Sequence, residues 1–288
     1  MLNQLTILIP LYQSNRFAEI IEKNIDDHLA YGAKIIVSDR HQLDDYADRL
    51  SLRYRDHDQV KIVQYFDDAN WVININSMIE QIKTPFFRVL PHDDSSTAIA
   101  SQALLNALSE NKNCIVSTGI IRAIDLHNQR LPTLDKLHEK PCYFDRKWDF
   151  AKAMDFFYQG YYPGAFKGVI RKAWIDKYQL YIEPTKSLID SERCWLFGLY
   201  LIADFCFVDI DMLYKRHYAE STHKQWKRTD KTPIEQAEVL VYYCNKVITQ
   251  PQQKQCACRH IYQNSFIRYQ RLTQNISGAV PYYKDYIL

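Results

Sequence analysis

Short apolar runs alternate with amphipathic segments through the first 120 or so residues of this 288-residue chain. Leu5 to Pro10 and Lys34 to Ser38 are β-branched runs typical of strands. Apolar residues from Phe17 to Leu29 recur at helical spacing, and Gly32 favours the end of that helix. The alternation continues with predicted strands at 60–66, 86–90 and 114–119 and predicted helices at 42–55, 71–83 and 97–110. Such alternation predicts an α/β fold with a mostly parallel central sheet flanked by helices.

The pattern changes after Gly119, where the regular alternation fades. Gly160 to Lys172 reads as a loop followed by a strand, and an apolar helix at about Leu188 to Ile202 precedes a strand from Phe205 to Leu213. The remaining periodic segments predict helices at 233–247 and 252–272. A second half of the molecule therefore follows the sheet, and the chain ends in helices.

Composition narrows the function classes. Hydrophobic residues make up 47% and charged residues 24%, which excludes a disordered chain, and a net charge of +2 argues against nucleic acid as a partner. No apolar stretch is long enough for a transmembrane segment, and the chain starts without a basic signal region. Seven scattered cysteines fit free thiols in a reducing compartment, so we expect a cytoplasmic protein.

The most informative segment is PFFRVLPHDDSS, where an apolar strand ends in His92, Asp93 and Asp94. Ligands bind at the carboxyl ends of parallel strands, which puts Tyr12 and Asp39 at the same edge. Two adjacent carboxylates there suit a hard divalent cation that also binds phosphate oxygens. The alternative is that Asp94 or its neighbouring serine caps the helix that follows.

Three segments resemble the GT-A fold of nucleotide-sugar glycosyltransferases, in particular glycosyltransferase family 2. They are LTILIPLYQS, KIIVSDRHQLDD and NSMIEQIKTPFFRVLPHDD, in the order in which that family carries its opening strand, its second strand ending in Asp, and its acidic motif. The resemblance implies a GT-A-like catalytic domain over residues 1–220. Residues 1–119 would form its nucleotide-sugar-binding half, 120–220 its acceptor half, and 221–288 a helical C-terminal extension.

The resemblance also implies which residues bind the donor. Pro10, Tyr12 and Asp39 would recognise the base; a solvated loop acid is the alternative interpretation of Asp39. Asn76 opens the matched helical stretch and joins the nucleotide-sugar-binding set. His92 is a candidate contact to the diphosphate or ribose.

The implied cofactor is a divalent metal, Mg²⁺ or Mn²⁺. By position Asp93 matches the acid that usually reaches the metal, with Asp94 as its neighbour, and Pro91 stands where the family commonly has a first acid. LYKRHYAEST resembles the family's Tyr-Arg-x-His segment, so His217 is the third candidate ligand. Within it Lys215 and Arg216 are candidates to pair with the departing diphosphate. A solvated basic loop is the alternative.

The catalytic base is expected in LIDSERCWLFGL, at the start of the apolar helix. An acceptor hydroxyl must lose a proton as it attacks the sugar, and a carboxylate can take it. Glu192 fits the family spacing better than Asp190, and both are candidates. The alternative is an acid that only stabilises the helix N-terminus. GYYPGAFKG, Gly160 to Gly168, is a candidate acceptor loop because aromatic rings stack on sugars, and a simple turn is its alternative.

The resemblance thus implies a metal-dependent, inverting glycosyltransferase. Its donor would be a nucleotide-diphospho-sugar, first of all a UDP-sugar, and its acceptor a glycan or lipid-linked hydroxyl, as in bacterial surface polysaccharide synthesis. We expect no nucleic-acid partner and no transmembrane segment, but a peripheral contact at the inner face of the membrane. The rival interpretation is a degenerate, non-catalytic GT-A domain that binds a nucleotide sugar, a glycan or a protein.

Overall fold

A computed structural model describes residues 1–40, 44–65, 70–136, 150–160, 162–220 and 228–274. The strands are β1 (Leu5–Leu11), β2 (Lys34–Asp39), β3 (Val60–Gln64), β4 (Phe86–Val89), β5 (Cys114–Ile124), β6 (Val169–Arg171) and β7 (Asp204–Arg216). The α-helices are α1 (Ala18–Ala30), α2 (Tyr46–Arg53), α3 (Trp71–Glu80), α4 (Ala98–Glu110), α5 (Phe150–Tyr158), α6 (Lys172–Tyr178), α7 (Ser191–Tyr200), α8 (Thr232–Val247) and α9 (Pro251–Thr273).

The seven strands form one sheet in the order β3-β2-β1-β4-β6-β5-β7. β1 pairs in parallel with β2 and β4, β2 with β3, and β5 with β7. The short strand β6 lies between β4 and β5 and is antiparallel to both. The predicted α/β class with a mostly parallel sheet is confirmed.

The central strand shows why the early apolar runs become sheet. Leu5, Ile7, Leu8 and Ile9 of β1 are at most 1% exposed, so successive side chains are buried on both faces of the strand. A continuous apolar run of this kind is typical of a parallel strand that is covered on both sides. The helix after it ends close to the predicted point, where Gly32 adopts a φ of +84° that favours glycine.

The chain divides into two compact units. The first consists of Met1–Tyr143, Gly164–Ala173 and Asp204–Tyr218, and it contains the whole sheet with α1 to α4. The second consists of Phe144–Pro163, Trp174–Ala203 and Ala219–Leu288. Since the chain leaves the first unit and returns to it twice, both units are discontinuous in sequence. The division at residue 220 into a catalytic domain and a helical extension stays a prediction.

The second unit is helical, with α7 packed against α5 and α8, and α8 against α9. Trp195 of α7 is fully buried, and its indole N–H donates to the Leu180 carbonyl at 2.7 Å. Gly198, one turn later, lets the ring of Tyr243 approach the helix backbone, because a Cβ there would lie 2.7 Å from that ring. None of the helices in the described ranges combines the length and the apolar character needed to cross a membrane.

Candidate functional site

The carboxyl ends of β1, β2 and β4 carry the predicted nucleotide-binding residues. Pro10 lies opposite Ser38 of the parallel neighbour β2, which ends at Asp39. The Nδ1 atom of His92, just after β4, lies 3.2 Å from the Pro10 carbonyl oxygen. Tyr12 is 38% exposed, whereas Asp39 is 4% exposed, so Asp39 is not the solvated loop acid of the alternative interpretation. The structure therefore places Pro10, Tyr12, Asp39 and His92 at one edge of the sheet.

Arg40 lies beside the end of β2 and was missed in the sequence. Its Nη2 donates to Ser77 Oγ at 2.7 Å, and its guanidinium carbon stacks 3.8 Å from the centroid of the Tyr65 ring. Its position directly after Asp39, the acid that ends β2, could have identified Arg40 as a candidate from the sequence. Arg40 adds a positive charge and a planar group to the edge where a base is expected.

Helix α3 reaches the same edge through a different asparagine from the predicted one. Ser38 Oγ donates to the Oδ1 atom of the buried Asn74 at 2.5 Å, which fixes the first half of α3 to β2. Asn76 is half-buried in the middle of α3. Its part in nucleotide binding stays a prediction.

Asp93 accepts a hydrogen bond from a tyrosine and lies near basic side chains. The Tyr218 hydroxyl donates to its Oδ2 at 2.9 Å, and the ring of Tyr218 stacks under the guanidinium of Arg16 at 4.7 Å. Burial works to raise the pKa of Asp93, but the electrostatic influence of the neighbouring His92 and Lys167 and the Tyr218 hydrogen bond outweigh it, so this pKa lies below its usual value. Asp93 is thus negative at neutral pH.

Asp94 is only 1% exposed, and both of its carboxylate oxygens accept from the protein. Lys167 Nζ donates to Oδ2 at 2.8 Å, and the backbone N–H of Arg216 donates to Oδ1 at 2.9 Å. Neither Asp94 nor the serine after it caps α4, because the hydroxyl of Thr97 accepts from Ala100 N at that helix end. The helix-cap interpretation of Asp94 is therefore wrong. The Asp94 carboxylate therefore links the segment after β4 both to the loop that carries Lys167 and to strand β7.

Positive charge exceeds negative charge around the two aspartates. Among the residues that the structure describes, the Arg216 guanidinium donates to neutral oxygens only, the Asp93 carbonyl at 3.5 Å and Asn128 Oδ1 at 2.7 Å. The half-buried Lys215 makes no hydrogen bond or ion pair through its side chain within the described part of the chain. Repulsion from Lys167, together with burial, lowers the pKa of Lys215 to about 8 against the attraction of Asp93 and Asp94. The arrangement can accept an additional anion.

A buried arginine, Arg88, holds the backbone segments that carry this cluster. Arg88 of β4 is fully buried, and burial lowers its pKa to about 10. It donates to the Lys167 carbonyl at 2.8 Å, to Ser96 Oγ and Ser101 Oγ at 2.7 Å each, and to the Met212 carbonyl at 2.7 Å. One side chain therefore ties β4, the loop before β6 and strand β7 together.

The predicted metal ligands do not come together as an open site. His217 lies just after β7 and donates through its backbone N–H to the Ile124 carbonyl at 2.8 Å. No group of three or more His, Cys, Asp or Glu side chains able to hold a metal ion is present among the residues that the structure describes. Since Asp94 is occupied by Lys167 and a backbone amide, the arrangement does not fit a metal held jointly by Asp93, Asp94 and His217. That assignment rests on the resemblance alone.

The two candidate bases lie at the start of α7 in the helical unit. Asp190, at a φ of 61°, accepts from Arg228 Nε at 2.8 Å, from Arg228 Nη2 at 2.6 Å and from Gln236 Nε2 at 2.8 Å. Glu192 lies in the first turn of α7 and is half-buried. Asp190 therefore anchors the residues that lead into α8.

Comparison with known proteins gives a fold but no sequence family. No protein-family model matches the chain, and no curated protein matches it by sequence. The crystal structure of S. aureus TarS 1-349 in complex with UDP-GlcNAc aligns with a TM-score of 0.67 at 10% identity, covering 95% of this chain and 76% of that chain. Another crystal structure of TarS 1-349 gives 0.62 at 12% identity, covering 93% and 73%.

A second structural neighbour comes from a different organism. The mannosyltransferase PcManGT from Pyrobaculum calidifontis, in complex with GDP-Man and Mn²⁺, aligns with a TM-score of 0.51 at 11% identity, covering 98% of this chain and 81% of that chain. Identities this low establish a shared architecture only. The chain has the GT-A fold of these glycosyltransferases, as the sequence resemblance implied.

Proposed function

We propose that this chain is a glycosyltransferase that moves a sugar from a nucleotide-diphospho-sugar to a hydroxyl of a glycan or lipid-linked acceptor. The observation that carries the proposal is the cluster of Asp93, Lys167, Lys215 and Arg216 at the carboxyl edge of a GT-A sheet. A site with surplus positive charge suits a diphosphate. Structural neighbours captured with UDP-GlcNAc and GDP-Man support a donor of this class, with UDP-sugars first.

The proposed transfer is a single displacement with inversion. The acceptor oxygen forms a bond to the anomeric carbon while the bond from that carbon to the phosphate oxygen breaks, and the electron pair leaves with the nucleoside diphosphate. The hydroxyl proton goes to a carboxylate, Glu192 or Asp190, acting as general base. The hydrogen bonds of Asp190 to Arg228 and Gln236 favour Glu192 for this role.

Divalent metal dependence belongs to the sequence prediction, with Mg²⁺ or Mn²⁺ on Asp93, Asp94 and His217. A neighbour that contains Mn²⁺ supports it. The ion pair between Asp94 and Lys167 opposes it, because a metal would have to displace that lysine. No step of the proposed transfer is assigned to a metal here.

The biological setting that we propose is polysaccharide assembly at the inner face of a bacterial membrane. Tyr262 and Phe266 of α9 are 50% and 56% exposed, and the exposed Arg259 lies one turn before Tyr262. Aromatic and basic residues on one helix face suit a peripheral contact with anionic lipid headgroups. Such a contact would bring the enzyme to a lipid-linked acceptor.

A non-catalytic GT-A domain is the second candidate function. Pro91 in place of the family's first acid, and the occupied carboxylate of Asp94, are the observations that favour it. Such a domain would bind a nucleotide sugar without transferring the sugar, or would bind a glycan or a protein partner.

Release of nucleoside diphosphate from UDP-, GDP- and dTDP-sugars, with and without a panel of glycan and lipid-linked acceptors, tests both candidates. Acceptor-dependent release and a product of inverted anomeric configuration by NMR support the transferase. Donor binding with neither transfer nor hydrolysis supports the degenerate domain. If no nucleotide sugar binds a folded sample, the transferase is rejected, and a non-catalytic domain that binds a glycan or a protein becomes the favoured candidate.

A further inference from the structure

We infer that Lys167, Lys215 and Arg216 bind and neutralise the donor diphosphate, and that Asp94 holds Lys167 in place instead of ligating a divalent cation. This inference rests on the proposed function and assigns the chemistry of its leaving-group site. It replaces the metal of the sequence prediction with cations of the chain itself.

The first argument is the occupancy of Asp94. Its side chain is 2% exposed, and the Lys167 side chain is 15% exposed, so their 2.8 Å ion pair is shielded from water. The second carboxylate oxygen accepts from the Arg216 amide at 2.9 Å. Breaking a buried ion pair leaves an uncompensated charge and is strongly unfavourable. A metal at Asp94 would have to break this pair, whereas a phosphate beside Lys167 would not.

The second argument is the charge that remains. Lys167, Lys215 and Arg216 are three cations near the carboxylates of Asp93 and Asp94; Asp125 is a further, weaker negative neighbour of Arg216, and Lys136 is a further positive neighbour of Lys215. Within the described part of the chain only Lys167 has a carboxylate partner among them, because Arg216 donates to a carbonyl and an amide oxygen. Charge-assisted hydrogen bonds from ammonium and guanidinium groups are strong ligands for phosphate oxygens. An incoming diphosphate supplies the negative charge that the cluster lacks.

The third argument is preorganisation. Gly168 lies so close to β5 that a Cβ there would collide with the backbone oxygen of Ser117, and this close approach sets the position of the preceding Lys167. The Arg88 guanidinium holds the Lys167 carbonyl at 2.8 Å and the Met212 carbonyl of β7 at 2.7 Å. Cations fixed before the reaction stabilise the charge that develops on a leaving group without reorganising.

The test is isothermal titration of the purified full chain with UDP, GDP, dTDP and CDP, once in EDTA and once in Mn²⁺. We expect the nucleoside diphosphate that binds to show dissociation constants within about threefold of each other in the two buffers, since fixed cations supply the charge. In EDTA, Lys215→Met is expected to weaken its binding by about 10- to 100-fold, the usual effect of removing one charged partner. Circular dichroism checks that the variant is folded.

Lys34→Met is the matched control, because Lys34 is exposed and begins β2 at the end opposite to Asp39. Wild-type binding that falls tenfold or more in EDTA and returns with Mn²⁺ overturns the inference and leaves the proposed function intact. Equal affinities of Lys215→Met and Lys34→Met also overturn it. Absence of binding for all four diphosphates in both buffers rejects the proposed function itself.

Discussion

Asp94 and Asp190 are two buried aspartates that basic side chains hold in different ways. Asp94 pairs with Lys167 and an amide, beside a half-buried Lys215 that has no ion pair with any described residue. Asp190 accepts two hydrogen bonds from the guanidinium of Arg228, which is the bidentate arrangement that satisfies both charges.

This difference distinguishes the cluster around Asp94, which can bind an anion, from the cluster around Asp190, which stabilises the structure. Asp190 pairs one to one with the Arg228 guanidinium, and Gln236 completes the hydrogen bonding. Around Asp94 positive charge is left over, at the sheet edge where α/β folds bind ligands. An acid at the end of an element is therefore informative only together with its partners, because the same residue type anchors a chain segment in one unit and orders cations in the other.

The largest expected effect concerns the two candidate bases, Asp190 and Glu192. It tests whether Glu192 acts as the general base. Glu192→Gln is expected to lower the transfer rate by about 10²- to 10⁴-fold, the usual contribution of a positioned base, and urea denaturation checks that the variant is folded. Glu238→Gln on α8 is the matched control, since Glu238 is half exposed and pairs with the exposed Lys186 at 3.4 Å. Rates that are equal in the two variants would remove Glu192 from catalysis.

The structural role of Asp190 gives the next effect. Asp190→Ala leaves Arg228 and Gln236 without their acceptor, and we expect the free energy of unfolding to fall by about 3 kcal/mol, at the lower end for a buried pair because the Arg228 side chain is 61% exposed. Urea denaturation measures it, with the exposed Asp230→Ala as control. A loss below about 1 kcal/mol would show that this network is not an anchor.

Acidification tests the cost of a positive charge on a buried histidine, His28, which shares Ser101 with the buried Arg88. His28 is buried, with its ring nitrogens 2.7 Å from Asn24 O and 2.8 Å from Ser101 Oγ. Burial first, and the charge of Arg88 second, lower the pKa of His28 to about 4. Because the folded pKa lies below the unfolded value of 6.5, the stabilisation is present above pH 6.5 and is lost as the pH falls toward 4.

Between pH 7 and pH 5 we therefore expect His28 to contribute a loss of about 2 kcal/mol in the free energy of unfolding. Urea unfolding of wild type and His28→Gln at both pH values isolates this contribution, with the exposed His57→Gln as control. An unchanged pH dependence in His28→Gln would contradict the expectation.

The smallest effect concerns the placement of Lys167. Gly168→Ala forces β6 away from the Ser117 oxygen, and we expect a loss of about 1–2 kcal/mol in the free energy of unfolding, as for other overpacked sites. Gly160→Ala is the matched control, since its Cβ would meet its nearest neighbour at an ordinary 3.6 Å. Equal stability of the two variants would show that the close approach at Gly168 is relieved at no cost.

The sheet was predictable because its strands coincide with apolar runs in the sequence. Strand β1 was expected at Leu5 to Pro10 and occupies Leu5–Leu11. Strand β5 was expected to end at Gly119, yet it continues to Ile124. Glycine usually weakens a strand, but here a Cβ at Gly119 would lie 2.8 Å from the Ile210 carbonyl, so glycine is what permits β5 and β7 to stay paired through their register shifts.

The candidate site was predictable only in part. Asp93 and Asp94 stand together at a strand end, and a resemblance pointed to them. Lys167, the partner of Asp94, lies 73 residues farther along the chain, in a segment interpreted as an acceptor loop. It reaches Asp94 because β6 inserts antiparallel between β4 and β5, and no local pattern around a three-residue strand reveals such a pairing.

The most direct test of the proposed donor site is thermal unfolding of the protein with UDP-GlcNAc, GDP-Man, a dTDP-sugar and a CMP-sugar. A ligand that binds only the folded state raises the melting temperature. The account predicts a rise with one of the diphospho-sugars and none with the CMP-sugar, which carries a single phosphate. No rise with any diphospho-sugar, or an equal rise with the CMP-sugar, would contradict a site built to bind a diphosphate.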